Sequence, residues 1–168
     1  MEIRTFEPQD WPAVWAVLEP VFRAGETYGV DPAITESAAR AMWVEQPLVT
    51  GVARGADGAL LGTYYLKPNQ GGPGAHVCNA GYVVAPEARG QGVAGALCRD
   101  SMARGRRHGF TAMQYNLVAT TNRAAIGVWE RHGFAVAGRL PGAFRHPHHG
   151  PVDALVMYRR LDDDTAAQ

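Results

Sequence analysis

The segment Arg89-Gly90-Gln91-Gly92-Val93-Ala94-Gly95 contains the residue types that grip an anion. It follows Tyr82-Val83-Val84-Ala85, which reads as a strand end, and it opens a run that reads as a helix. The first amides of a helix lack intrahelical partners, and the helix dipole places about half a positive charge there. Glycines let a phosphate approach the backbone, and Arg89 adds a full charge. Gly90–Gly95 also fits G-x-G-x-x-G, but a dinucleotide site needs an acid about 20 residues on, at the end of the next strand. Tyr115-Asn116-Leu117 stands at that strand end instead. A nucleoside triphosphate loop needs Gly-Lys-Ser/Thr, which this turn lacks. The pyrophosphate of coenzyme A and a tight turn without a ligand both remain.

Other reactive side chains are weaker signals. His76 is a candidate base, although a lone histidine at a strand start is more often structural. His146, His148 and His149 share a Pro/Gly-containing stretch, but their spacing is not that of metal ligands, so no metal is expected. Cys78 and Cys98 read as small buried residues. Two cysteines supply neither a disulfide framework nor a four-cysteine zinc site.

The elements that must position the turn alternate between strand and helix signals, which gives an α/β domain over residues 1–161 and a polar tail over 162–168. Met1–Phe6 reads as a strand. Asp10 caps a helix carrying Trp15, Leu18 and Phe22, and Thr35 caps a second that runs through Trp43 to a stop near Pro47. Leu48–Arg54 and Ala59–Lys67 read as a hairpin around Asp57-Gly58. His76–Val84 is a buried strand in which Cys78 points opposite to Asn79. Gly92–His108 is a helix whose small face is Ala94, Leu97, Cys98, Ser101 and Gly105, with Asp100 and Arg104 paired on the exposed side. Ala112–Leu117 is a strand, and Asn122–His132 is a helix with Asn122 at its cap. Phe134–Arg139 and Val152–Leu161 are closing strands joined by a loop, Pro141–Pro151.

The chain has 168 residues, 46% of them hydrophobic and 19% charged, which suits one globular domain. Basic and acidic residues balance at 16 each, which argues against nucleic-acid binding driven by bulk charge. No apolar run reaches a membrane span, and Met1-Glu2-Ile3-Arg4 opens no signal core, so a cytoplasmic protein without membrane partners is expected.

Arg89-Gly90-Gln91-Gly92-Val93-Ala94 resembles the Q/R-x-x-G-x-G/A signature of the GNAT superfamily of N-acetyltransferases. About 33 residues on, Asn122-Arg123-Ala124-Ala125-Ile126-Gly127-Val128-Trp129-Glu130-Arg131-His132-Gly133-Phe134 is similar to the family's N-x-x-A-x-x-x-Y-x-x-x-G-F element. The resemblance implies a mixed, mostly antiparallel sheet of about seven strands with about four helices, and acetyl-CoA as donor. It implies that Val83, Val84 and Ala85 face the pantetheine arm and thioester, and that Arg89, Gly90, Gln91, Gly92, Val93 and Ala94 bind the pyrophosphate. Asn122 would meet the pantetheine–cysteamine end. Trp129 stands where many members carry a tyrosine acid; an indole N–H is a donor but no usable acid, so Trp129 becomes a cofactor wall or a core residue.

Tyr65–Asn69, His76–Tyr82, Tyr115–Val118 with Thr121-Asn122, and Gly150–Ala154 are similar to the fungal N-acetyltransferases of azetidine-2-carboxylate, a toxic proline analogue. That similarity implies that Asn79 and Asn116 face an imino-acid acceptor and take part in catalysis, and that its acetylation detoxifies the analogue. The family also implies that Glu26 and Tyr28 border the acceptor pocket and that a homodimer forms. General amino-acid or protein N-acetylation and a non-catalytic acyl-CoA sensor are the alternatives.

Overall fold

A computed structural model describes residues 1–162. The elements run β1 (Glu2–Thr5), α1 (Trp11–Ala24), α2 (Glu36–Arg40), β2 (Val49–Arg54), β3 (Leu60–Pro68), β4 (Val77–Val84), α3 (Val93–Arg107), β5 (Ala112–Ala119), α4 (Arg123–Arg131), β6 (Ala135–His146) and β7 (Gly150–Arg160). They form one seven-stranded sheet in the order β1-β2-β3-β4-β5-β7-β6. Every neighbouring pair is antiparallel except β4 with β5. The mixed α/β sheet with four helices is the expected fold.

Side-chain alternation gives each sheet face its own core. Cys78, Ala80, Leu97, Cys98, Met113 and Trp129 pack beneath α3 and α4. Val14, Leu18, Phe22, Trp43 and Val83 pack beneath α1 and α2. Cys78 and Asn79 therefore face opposite ways, as the alternation predicts. Burial pushes the Cys78 thiol up to about 12 and the Cys98 thiol up to about 11, so both stay protonated at neutral pH. No helix among the described residues is long and apolar enough to cross a membrane.

Several local expectations are corrected. Asp10 stands at the N-cap of α1, but its side chain makes no cap bond. Its buried carboxylate instead accepts from Arg4 at 2.7 and 2.8 Å, from Arg54, and from the Glu7 amide at 2.8 Å. Asp100 and Arg104 do pair, at 2.9 Å, but not as a solvated couple. The Tyr64 hydroxyl donates to Asp100 Oδ2 at 2.6 Å, and Arg104 donates to Thr5 Oγ1 at 2.7 Å, so the pair pins α3 to the sheet. Ala94 is only half-buried on the small face of α3.

The second helix leaves the α geometry at Ala41 and finishes as a π-turn, with the Gln46 amide donating to the Ala41 carbonyl. The Thr50 hydroxyl donates to the Trp43 carbonyl at 2.7 Å, which supplies a partner from outside the helix ladder. The expected loop at Pro141–Pro151 is largely strand, because β6 continues to His146 and β7 starts at Gly150. Pro141 is tolerated because β6 is the edge strand and its register shifts between Leu140 and Phe144. Of the predicted tail, Asp162 pairs with Arg160 at 2.7 Å, and the remainder lies outside the described residues.

Candidate active site

β4 and β5 run parallel but pair only at Val77–Ala112 and Cys78–Met113. β5 then breaks register against β7 between Tyr115 and Val118, and the two strands part. In an antiparallel ladder, alternate residues turn their amide and carbonyl toward one neighbour. The Ala85 amide donates to Leu61 in β3, and the Val77 carbonyl accepts from Asn69, so the odd residues of β4 serve β3. Ala80, Tyr82 and Val84 consequently turn their backbone groups into the gap. The gap opens into a cleft of about 1110 Å³.

One end of the cleft is made by the glycine turn. Gly90 (φ 76°) and Gly92 (φ 78°) are left-handed, a conformation that side-chain-bearing residues adopt at a cost. An added Cβ would meet nothing within 4 Å at either position, so the glycines are required by conformation and not by crowding. The first α3 bond runs from the Ala96 amide to the Gly92 carbonyl at 3.1 Å, which leaves the Val93, Ala94 and Gly95 amides without intrahelical acceptors. Arg89, Arg99 and Arg131 line the same end. His132 donates from Nδ1 to the Val128 carbonyl at 2.8 Å, so Nε2 accepts from Arg99 at 3.2 Å. Left-handed glycines, orphan amides and three guanidinium groups fit a pyrophosphate and phosphate ligand such as coenzyme A.

The walls between the two ends are aromatic and amide-bearing. Trp129 is buried, with its ring 4.7 Å from Tyr82 and 5.0 Å from Tyr115. The Tyr82 hydroxyl shares hydrogen bonds with Ser101 at 2.8 Å and Tyr115 at 2.9 Å, and burial raises both phenols well above their ordinary range. Asn122 caps α4, its Oδ1 accepting from the Ala125 amide at 3.3 Å, and it lines the cleft. Val83, Val84, Arg89, Gly90, Gly92, Val93, Ala94 and Trp129 line it too. Ala85 and Gln91 do not: Ala85 is buried behind the strand end, and the Gln91 side chain donates to the Glu87 carbonyl at 2.8 Å.

The other end gathers side chains from distant segments. Glu26 and Tyr28, from the loop after α1, line it together with Asn79 and Asn116. The Tyr28 hydroxyl donates to the Tyr82 carbonyl at 3.0 Å, and its ring packs edge-on against Phe22 and Trp43. Asn79 is buried; Oδ1 accepts from the Tyr65 hydroxyl at 3.2 Å and Nδ2 donates to the Gln114 carbonyl at 2.8 Å. Asn116 is exposed in the irregular part of β5, where it accepts from Gln114 and donates to Asn69, at 2.8 and 2.7 Å. The two asparagines meet at one cleft end, but only Asn79 is a buried amide. Gly81 has no room for a side chain, since a Cβ would lie 2.5 Å from the Tyr65 ring and 2.9 Å from the Tyr28 hydroxyl.

Tyr65, Lys67, Asn69, Arg99, Arg131 and His132 also line the cleft, and the sequence reading assigned them no role there. For Tyr65 and Lys67 a signal existed: the antiparallel register sets them opposite Gly81 and Asn79, on the same face. His148 reaches Glu26 from the β6–β7 tip, with Nε2 3.5 Å from Glu26 Oε1. His146 is buried beside Phe144, and among the described residues no group of three His, Cys, Asp or Glu is placed to hold a metal. His76 is exposed with Nδ1 3.0 Å from the Pro73 carbonyl, outside the cleft lining.

Known proteins share this fold. A GCN5-related N-acetyltransferase from Kribbella flavida is 44% identical, with a TM-score of 0.90 over 95% of this chain and 96% of that one. A phosphinothricin acetyltransferase from Sinorhizobium meliloti, solved in complex with acetyl-CoA, shares the fold at 20% identity, with a TM-score of 0.85 over 99% of this chain and 91% of that one. The N-acetyltransferase aca1 of Schizosaccharomyces pombe is 39% identical over 99 residues, which is 58% of this chain and 47% of the yeast protein. The chain thus spans about half the length of that curated relative. The acetyltransferase (GNAT) family model matches residues 11–134, from the start of α1 to the residue before β6, and the chain belongs to that family.

Proposed function

We propose that the protein transfers an acetyl group from acetyl-CoA to the nitrogen of a small amino or imino acid, with L-azetidine-2-carboxylate or another proline analogue as acceptor. The observation that carries the reading is the single cleft, which joins an anion-binding glycine turn to a compact pocket of tyrosines and amides. Acetyl-CoA supplies an activated thioester: the acceptor nitrogen bonds to the acetyl carbon, the carbon–sulfur bond breaks, and coenzyme A leaves as thiol or thiolate. The turn amides and Arg89 hold the donor's phosphates. The backbone of Tyr82 and Val84, turned into the gap, offers amide donors to the thioester oxygen. Asn79 and Asn116 orient the acceptor, since a carboxamide takes no proton at neutral pH.

The acceptor ammonium loses one proton before attack and the nitrogen loses another after it. A water held between the amides relays these to solvent, and the leaving thiolate, near pKa 8.5, needs no dedicated acid. Trp129 then serves as a wall. Acetylation abolishes the nitrogen's basicity, which is the chemistry of inactivating a toxic imino acid.

Thiol release from acetyl-CoA, measured separately with L-azetidine-2-carboxylate, L-proline, primary L-amino acids and a polyamine, tests the reading. Turnover concentrated on the cyclic imino acids is expected. Turnover spread over primary amines would shift the assignment to general amino-acid or protein acetylation. Acetyl-CoA binding without turnover on any acceptor would overturn the proposal in favour of a sensor.

A further inference from the structure

Lysine and arginine total 16 in this chain, and Lys67 is the one lysine. Among the described residues, Arg4, Arg23, Arg40, Arg54, Arg104, Arg139 and Arg160 are tied to carboxylates within 4.0 Å. Lys67 has no such partner among the described residues. It is half-buried at the acceptor end of the cleft, with Nζ 5.4 Å from the centroid of the Tyr65 ring. Register places it directly opposite Asn79, so the two side chains stand together on one face of the sheet. At this end of the cleft the charged lining residues are Lys67 and Glu26, one of each sign.

Resting on the proposed acetyl transfer, we infer that Lys67 is the specificity residue that receives the acceptor's carboxylate. An ammonium held over an aromatic face beside a buried amide is a compact seat for one carboxylate, and it repels an acceptor that brings only positive charge. A zwitterionic amino or imino acid satisfies it, whereas a polyamine or a protein lysine side chain does not. The same charge orients the acceptor, because it fixes the carboxylate at β3 and leaves the nitrogen as the group free to reach the thioester.

The test compares acceptors that differ only in the carboxylate: L-azetidine-2-carboxylate against azetidine, and L-proline against pyrrolidine. For Lys67→Met, KM for the carboxylate-bearing member of each pair should rise about 10- to 100-fold, the usual weight of a charge-assisted hydrogen bond. KM for azetidine and pyrrolidine, which are cations without a carboxylate, should not rise and should fall as far as the ammonium repelled them. The melting temperature should hold, and Lys67→Arg should recover part of the loss. Equal losses on both members of a pair overturn the inference while leaving acetyl transfer intact.

If the native protein acetylates neither member, the functional proposal fails by itself, and Lys67 is then read by binding. Reductive ¹³C-methylation labels one side chain, Lys67, besides the terminal amine. Its resonance should shift with L-azetidine-2-carboxylate and stay still with azetidine. No shift with the carboxylate-bearing ligand overturns the inference by this route.

Discussion

The two ends of the cleft are made from different material. The donor end has a backbone frame, two left-handed glycines and the orphan amides of α3 within one segment of seven residues, with Arg89, Arg99 and Arg131 around it. The acceptor end is side chains: Tyr28, Tyr65, Lys67, Asn79 and Asn116, brought from the α1–α2 loop and three strands. A backbone site is written locally, since a left-handed turn before a helix demands glycine wherever it stands. A side-chain site exists only once register and loop path are set. The donor end should therefore fail through conformation, and the acceptor end through lost partners.

Gly92→Val should give the largest effect. A β-branched residue at φ 78° costs about 1–3 kcal/mol, and its side chain also stands where the phosphate approaches. Acetyl-CoA affinity, measured by calorimetry, should weaken about 100-fold or more. The space beyond the Cβ is open, so melting should drop by the backbone strain alone, about 2–12 °C. Unchanged affinity would break the assignment of this end to the donor.

Asn79→Ala comes next and should act on the opposite end. It strips a partner from the Tyr65 hydroxyl and from the Gln114 carbonyl, at about 1–3 kcal/mol. The acceptor kcat/KM should fall at least about tenfold while the acetyl-CoA dissociation constant holds. A parallel loss of donor affinity would show that the ends are not separable. Asn116→Ala, at an exposed position with amide partners at the surface, should cost less in stability than Asn79→Ala.

The same contrast explains what was legible beforehand. The turn, its helix and the Asn122 cap stand where the sequence pattern places them, because each follows from a local backbone need. Both asparagines were named from sequence, yet that Asn79 is buried and Asn116 exposed depends on β5 breaking register after Tyr115. Tyr65 and Lys67 went unassigned because only the β3–β4 register sets them beside Gly81 and Asn79. Both strands of the β6–β7 hairpin are legible, but its Pro141–Pro151 part reads as a loop because Pro141, Gly142 and Pro151 are strand breakers in the interior of a sheet. At its edge they are accommodated. Pro151 lies beyond the last β5 pairing of β7, at Ala119–Ala154, so its missing amide costs no bond on that side.

Asp10→Asn should lower stability and leave both ends alone. The buried carboxylate is held by Arg4 and Arg54, which keep it well below the usual carboxylate range. Both guanidinium groups are partly exposed, so the expected loss is about 1–2 kcal/mol, below that of a fully buried pair. The sign is fixed by the lowered folded value. The contribution is complete above the unfolded value near 3.9 and fades as pH falls from there toward the folded value. Denaturation curves should show the variant's deficit at pH 7 shrinking below about pH 4. A deficit that persists at acid pH would mean that Asp10 acts through shape and not through charge.

Ionic strength should give the smallest separation between the ends. Arg89, Arg99 and Arg131 are exposed, so their pull on the donor's phosphates is screened by salt. Between about 0.05 and 0.5 M salt the Debye length shrinks from about 14 to about 4 Å, and acetyl-CoA should bind about two- to fivefold more weakly. An imino acid carries no net charge, and its carboxylate meets Lys67 at short range in a half-buried site, where screening is weaker. Its KM should move less than about twofold across the same range. Equal salt slopes for donor and acceptor would mean that one diffuse positive field serves the whole cleft. A flat acceptor slope beside a falling donor slope places the guanidinium attraction at the glycine turn and leaves Lys67 as a short-range contact.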